Sequence, residues 1–357
     1  MEGAGQEPRS PGAQEPEGQA GSVRDREEGG GGTATAVHSF EIYLTCRILH
    51  GSVKPRYGLV VDGDRLRKGE HMRIAARSGR MLLVSPDSSR VVDVSRASAG
   101  RFGPGPREVY DVWDEFARWV GDTTIDFEAE GVPVALEELG APSPDPRQVF
   151  AIGLNYRDHA DESGFAHPDS PPAFTKWAGS FAGPVGDLHL PAETVDWEAE
   201  LVVVIGRRAE SVAATDAWSY VAGLTAGQDF SERALQLAGP APQFSLGKSF
   251  PGFAPQGPWL VSVDEFADPD NLTIECRING ETMQKSSTGR MIFSVPGLIE
   301  RLSAVVPLMP GDVIFSGTPA GIGAARKPPR FLRDGDVVET TLEGIGDLRQ
   351  VCVTAWS

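Results

Sequence analysis

Cysteine is scarce. The 357-residue chain has three, Cys46, Cys276 and Cys352, far apart and in no CxxC or Cys/His spacing. That argues against a disulfide framework and a zinc site, and fits a reducing cytoplasm. No apolar run approaches the roughly 18 residues that a membrane helix needs, and the polar N-terminus does not read as a signal peptide. Positive charge is also short, with 33 Lys and Arg against 50 Asp and Glu, a formal net charge of −17. Such a field repels nucleic acid and an anionic membrane surface. It admits a small anionic substrate only where Lys and Arg cluster locally.

Hydrophobic residues make up 40% of the chain and charged residues 23%, which is enough to bury a sizeable core. Residues 1–36 are Gly-, Glu-, Gln- and Pro-rich and carry seven acidic against three basic residues. They cannot offset their ordering entropy by apolar burial, and are expected to be a disordered, solubilising tail. Strand-like runs follow, "FEIYLTCRIL" and "YGLVVDGDRL", the second with a turn signal at Asp62-Gly63. "MRIAARSGRMLLVS" reads as strand–turn–strand, and residues 109–120 as one amphipathic helix. The Pro-rich connector 139–148 suggests a boundary between a small domain, 37–146, and a larger one, 147–357. The larger part is rich in short β-type segments separated by Gly/Pro turns, with one clear helix in "SVPGLIERLSAV". A doubly wound α/β alternation is missing, so the expected class is α+β and β-rich.

The chemistry concentrates in "VDWEAELVVVIG", residues 195–206. With a side-chain period of two, Glu198 and Glu200 share a face that Val202 and Val204 continue. Both faces beyond Glu200 are apolar, so the strand is buried there. Two carboxylates side by side at a buried end are costly unless a cation lies between them, and oxygen ligands suit Mg²⁺ or Mn²⁺, with Ca²⁺ also compatible. An exposed strand end would serve equally for the spacing alone. "TAGQDFSERALQ" offers Asp229 as a third acid, with Arg233 and Gln236 on one face if a short helix starts after it. In "IGLNYRDHADESG", His159 and Glu162 are three apart and adjacent on a helix, a pairing that can orient a general base or be a chance surface ion pair. The following "HPDSPP" makes this a candidate lid.

Taken in order, "GLNYRDHADESG", "PPAFTKW", "VDWEAELVVVIG", "VAGLTAGQDFSERALQ", "LGKSF", "PQGPWLV", "INGETMQKSST" and "MPGDVIFSGTPAGIG" resemble the fumarylacetoacetate hydrolase family over residues 149–357. The resemblance implies that family's mixed β-sandwich roll, and a Mg²⁺ or Mn²⁺ ion on Glu198, Glu200 and Asp229. It implies His159, Glu162 and Lys248 as catalytic groups, with Tyr156, Lys176, Arg233, Gln236 and Thr318 around the substrate. Thr318 and the "GTPAG" backbone would hold a substrate carboxylate. The implied reaction is C–C cleavage of a β-diketo or acylpyruvate-type 2-oxo acid through a metal-stabilised enolate. Decarboxylation, isomerisation or hydration of a related acid is the alternative, and a non-catalytic ligand-binding homologue is a further one. A homodimer is also implied. The chain departs from the family pattern at Ala234, Pro251-Gly252 and Arg290, which bears on substrate identity.

Overall fold

A computed structural model describes residues 65–66, 72–164 and 166–354. The expected runs at 40–49 and the turn at Asp62-Gly63 lie outside the described residues. Several strands fall where the sequence puts them. Val149–Ile152, Ala199–Ile205, Thr273–Ile278, Val313–Phe315 and Val337–Leu342 fall in the β-type segments "VFAIG", "ELVVVIG", "LTIECRING", "DVIFSG" and "DVVETTLEG".

Among the described residues the largest sheet has eleven strands. Its centre is Ala254–Val261, Val221–Gln228, Ala199–Ile205 and Val313–Phe315, all antiparallel, followed by Val149–Ile152, which runs parallel to Val313–Phe315. Arg73–Arg77 adds to Ala254–Val261, and the meander Arg73–Arg77, Arg80–Val84, Arg90–Asp93 carries the sheet outward. Ser78 (φ 50°) and Gly79 (φ 74°) turn the first of these hairpins, as a two-residue turn matched to strand twist requires. A second sheet of five strands, Val185–His189, Gly346–Val353, Val337–Leu342, Thr273–Ile278 and Glu281–Ser287, packs on one face of the first. The class is α+β and β-rich, with mixed sheets.

The Ala199–Ile205 strand shows why the run is apolar on both sides. Ala199, Leu201, Val203 and Ile205 enter the core shared with the five-stranded sheet, beside Ile274, Cys276 and Val338. Val202 and Val204 enter a second core on the opposite face, beneath Trp113, Phe116 and Val120. Leu201 is fully buried. Leu201→Ala is expected to lower unfolding free energy by about 2–5 kcal/mol, read from denaturant midpoints, because an apolar cavity opens between two stiff layers.

One helix differs from expectation. Residues 109–120 do not form a single helix. Pro106–Tyr110 and Trp113–Asp122 are separate, and the break at Asp111-Val112 lets Tyr110 stack on Trp113 at 5.3 Å. Val112, which helical spacing over 109–120 would put on the apolar face, is 39% exposed. The helix in "SVPGLIERLSAV" is present as Val295–Ser303, capped by the Ser294 hydroxyl accepting from Gly297 N–H. Among the described residues no helix is long and apolar enough to cross a membrane.

Candidate active site

Strand register brings the acids together. Ala199 pairs with Gln228 and Glu200 with Gly227, so Asp229, one residue further, lies beside Glu198. Asp229 N–H donates to the Glu198 carbonyl (2.9 Å), and Glu198 N–H to Gln228 Oε1 (2.8 Å). One carboxylate oxygen from each of Glu198, Glu200 and Asp229 lies within 4.8 Å of the others, and all three residues are buried.

Three buried cations hold this cluster. Lys248 Nζ donates to Glu198 Oε2 (2.7 Å) and Asp229 Oδ2 (2.8 Å). Lys176 Nζ donates to Asp229 Oδ1 (2.6 Å) and to the Lys248 carbonyl. Arg233 reaches Glu198 Oε1 (2.7 Å) through Nη1 and Asp196 Oδ2 (2.9 Å) through Nε. Burial resists the charge on Glu198, but Lys248 and then Arg233 overcome it and bring its pKa down to about 2. Glu200 goes the other way. Burial first, then the charges of Asp229 and Glu198, push its carboxyl well above the ordinary range. Its partner is the Gly317 N–H (2.8 Å), a dipole and not a full charge.

The two lysines also diverge. Burial pulls Lys176 down despite Asp229, while Lys248, facing both Asp229 and Glu198, is raised against its own burial. Lys176 is expected to be structural. Lys176→Met would leave Asp229 Oδ1 and the Lys248 carbonyl without their donor, and should cost about 3–5 kcal/mol of stability in thermal or urea unfolding of the metal-free protein.

The donor set fits a hard divalent cation. Asp196, Glu198, Glu200 and Asp229 outnumber Lys176, Lys248 and Arg233, so one acid of the buried network lacks a cationic counterpart, and it is Glu200, whose ionisation its surroundings oppose. Tyr156 Oη is buried without a hydrogen-bond partner, and burial and then the Glu200 charge raise its pKa. Oxygen-only donors and an unsatisfied hydroxyl suit Mg²⁺, Mn²⁺ or Ca²⁺ and not zinc.

Above the acids lies a cavity of about 620 Å³, lined by His159, Glu162, Glu198, Arg233, Gln236, Lys248 and Thr318 among others. Tyr156 and Lys176, expected around the substrate, are fully buried and do not line it. His159 and Glu162 lie on the Arg157–Ser163 helix, which ends at Gly164 in the left-handed region (φ 73°). His159 Nδ1 is 2.9 Å from Glu162 Oε1. A carboxylate only accepts, so Nδ1 carries the proton and the neutral ring presents Nε2 as the base. Gly321 N–H donates to both Glu162 oxygens (3.1 and 3.0 Å), tying this helix to the loop after Val313–Phe315. A Cβ at Gly321 (φ 108°) would lie 2.2 Å from the Met283 carbonyl, so only glycine fits.

In the "GTPAG" turn, expected to offer N–H groups to a substrate carboxylate, two N–H groups serve the protein's own acids. Gly317 takes Glu200, and Gly321 takes Glu162. The Thr318 hydroxyl donates to the Ala199 carbonyl (2.8 Å) and accepts from Gln284 Nε2 (2.8 Å). The short helix is Arg233–Gln236, capped by Glu232 and not by Asp229; Arg233 Nη1 donates to Gln236 Oε1 (2.9 Å). The Pro251-Gly252 departure is a turn closed by Phe253 N–H on the Phe250 carbonyl (3.0 Å), with Gly252 at φ 83°.

Several members of the network were not singled out from the sequence. Asp196 is fully buried, binds Arg233, and accepts from Gly323 N–H (2.7 Å) and Ala324 N–H (2.9 Å). Its position two residues before Glu198 was the available signal. Asn155 staples its loop to the Phe293 and Ser316 carbonyls (3.0 and 2.7 Å), and Gln284 accepts from Ala199 N–H (3.0 Å). No local pattern marks either. His167 pairs with Asp161 at 3.0 Å on the exposed surface.

A β-sandwich roll with three buried carboxylates under a cavity, and a His–Glu pair on the helix above, defines the class of protein. The family model for the C-terminal part of fumarylacetoacetate hydrolase matches residues 148–353, and the chain belongs to that family. It is 47% identical over 208 residues to a Bos taurus protein named as the mitochondrial oxaloacetate tautomerase FAHD2A; the match covers 58% of this chain and 66% of that protein. A Mycobacterium smegmatis structure given the HpcE designation is 52% identical with a TM-score of 0.76, covering 80% of this chain and all of that one. Maleylpyruvate hydrolase of Sphingobium, solved with manganese and pyruvate, is 27% identical with a TM-score of 0.64, again over 80% of this chain and 100% of its own. Family members are named as hydrolases, isomerases and tautomerases acting on small oxo acids.

Proposed function

We propose that this protein is a divalent-metal-dependent enzyme that forms and reprotonates the enolate of a 2-oxo acid. The observation that carries the reading is the surplus acid Glu200, buried beside Glu198 and Asp229 at 4.8 Å or less, with Glu198 opening onto the cavity that His159 and Glu162 also line. Glu198, Glu200 and Asp229 would hold Mg²⁺ or Mn²⁺. Once bound, the ion would act as a Lewis acid, polarising the oxygens of a chelating 2-oxo acid.

The chain's own residues supply the rest. Arg233, oriented by Asp196 and Gln236, presents a fixed positive charge to the anionic substrate, and Lys248 adds a second one at the acids. Gln236 and Thr318 line the same wall. His159 Nε2 takes or returns the proton, and Glu162 holds the tautomer and steadies the resulting imidazolium. Apolar Ile152, Phe174 and Phe244 keep bulk water from the enolate.

Sequence reading put C–C hydrolysis first. The likeness to an oxaloacetate tautomerase moves proton transfer ahead of it. Hydrolysis stays as a second reading because the same His–Glu pair could activate a water, and a maleylpyruvate hydrolase shares the fold. Oxaloacetate and acylpyruvates, each with Mn²⁺ or with EDTA, separate the two. Loss of enol absorbance without products supports tautomerisation. Release of a carboxylic acid and pyruvate supports hydrolysis. Silence on the whole panel with metal would remove the catalytic reading.

The homodimer is proposed on Trp177, Leu237 and Leu246, which are 49%, 58% and 61% exposed on neighbouring segments. Cys276 and Cys352 are buried and unpaired, as a reducing compartment allows. Cytoplasm meets that condition, and so does the mitochondrial matrix.

A further inference from the structure

The helix that carries His159 and Glu162 is tied to the acid cluster at two points, and both ties end on one turn, residues 316–321. At the far end of the helix Glu162 accepts from Gly321 N–H (3.1 and 3.0 Å). At the near end stands Asn155, one residue before the N-cap Tyr156 and fully buried. Its Nδ2 donates to the Ser316 carbonyl (2.7 Å) and the Phe293 carbonyl (3.0 Å), and its Oδ1 accepts from Phe293 N–H (2.8 Å). Within the same turn Gly317 N–H holds Glu200 (2.8 Å). The base and the acid without a cationic counterpart therefore share one support.

The acid side of that support stands without Asn155. Ser316 N–H and Oγ both donate to the Leu201 carbonyl (3.1 and 2.7 Å), and Phe315 pairs with Val202. The base side depends on it. Leu154 sits at φ 50°, a left-handed conformation that a leucine keeps only where its surroundings impose it. Tyr156 Oη has no partner, and Asp158 accepts from the neighbouring His159 N–H (3.1 Å). Among the described residues the Asn155 amide is thus the side-chain hydrogen-bond tie of 153–158 to the rest of the molecule. The approach is close, since a Cβ at Gly317 (φ 99°) would lie 2.7 Å from the Asn155 Cβ.

We infer that Asn155 is a positioning residue that sets the height of His159 over the acids, by clamping the start of its helix to the turn that holds Glu200. Asn155 does not line the cavity, so its effect passes through His159. This rests on the proton-transfer reading above and deepens it. Proton transfer needs the base within hydrogen-bond reach, and a misplacement of about 1 Å can cost about 10²-fold.

Asn155→Ala should lower turnover of an enolisable 2-oxo acid by about 10–100-fold, with KM and Mn²⁺ affinity nearly unchanged. The discriminating measurement is the double-mutant cycle with His159→Ala. Once the imidazole is gone, Asn155→Ala should cost no further turnover. Costs that add in the double variant overturn the positioning role, and so does full activity of Asn155→Ala. Backbone hydrogen exchange reads the clamp without chemistry. In the wild type the Ile292 and Phe293 amides, which donate to Asn155, should be strongly protected. In Asn155→Ala protection should fall at 292–293, at 157–163 and at Gly321, and hold in the Ala199–Ile205 strand. Free exchange at Ile292 and Phe293 in the wild type removes the clamp, a result available even if the variant does not fold. Protection lost evenly across the variant would make Asn155 an ordinary core residue. Silence of the wild type on every 2-oxo acid tried would instead sink the proton-transfer reading, and the catalytic role of Asn155 with it.

Discussion

Glu200→Gln should make the metal-free protein more stable and the enzyme inactive. Glu200 is the acid that the buried lysines and arginine leave without a counter-charge, with burial, Asp229 and Glu198 all opposing its ionisation. The amide keeps the shape and removes the repulsion. Relieving a functional site of this kind typically gains about 0.5–2 kcal/mol. The same change takes away a metal ligand and the surplus charge, so turnover should fall by about 10³-fold or more. The pH dependence follows from the direction of the shift. A carboxyl whose folded pKa is raised binds its proton more tightly in the folded state. Its contribution is present in full below the ordinary glutamate value of 4.5 and is lost as pH rises through the raised value. The metal-free wild type should therefore lose stability across that window, and Glu200→Gln should lose less. Saturating Mn²⁺ should reverse the order, stabilising the wild type and leaving the variant unmoved. A variant that is both less stable without metal and still active would show that Glu200 is an ordinary satisfied acid.

His159→Ala should lower turnover by about 10²–10⁴-fold while Mn²⁺ binds with wild-type affinity. The imidazole lines the cavity but is not one of the three clustered acids, and its Nδ1 is occupied by Glu162. Glu162→Gln should fall between the two, because the amide can still accept from Nδ1–H but no longer balances the imidazolium. Its NH₂ group would also face the Gly321 N–H across one of two existing bonds. The measurements are steady-state kinetics on an enolisable 2-oxo acid and Mn²⁺ titration of each variant. Unchanged turnover in His159→Ala would take the proton transfer away from this helix. Metal affinity lost along with turnover would mean that His159 supports the acids.

What could be read from the sequence was what repeats locally. Period-two alternation marked the Ala199–Ile205 strand and put Val202 and Val204 on a different face from Leu201 and Val203, and the two faces feed two separate cores. The same alternation, extended one step back, would have added Asp196. The single helix expected over 109–120 failed because helical spacing cannot register a break that tertiary stacking of Tyr110 on Trp113 makes favourable. The long-range network was invisible for a different reason. Lys248 reaches Glu198 across 50 residues and Gln284 reaches Thr318 across 34, and nothing local encodes which buried cation takes which acid. Lys176 and Tyr156 illustrate the consequence. Family resemblance suggested that they face the substrate, and packing puts both in full burial outside the cavity lining.

The most direct test is a crystal grown with Mn²⁺ and measured on either side of the manganese absorption edge. An anomalous peak about 2.0–2.6 Å from oxygens of Glu198, Glu200 and Asp229 is the expected result. Full density for those side chains in saturating Mn²⁺, with Lys248 still bridging Glu198 and Asp229 and no anomalous peak among them, would contradict the account.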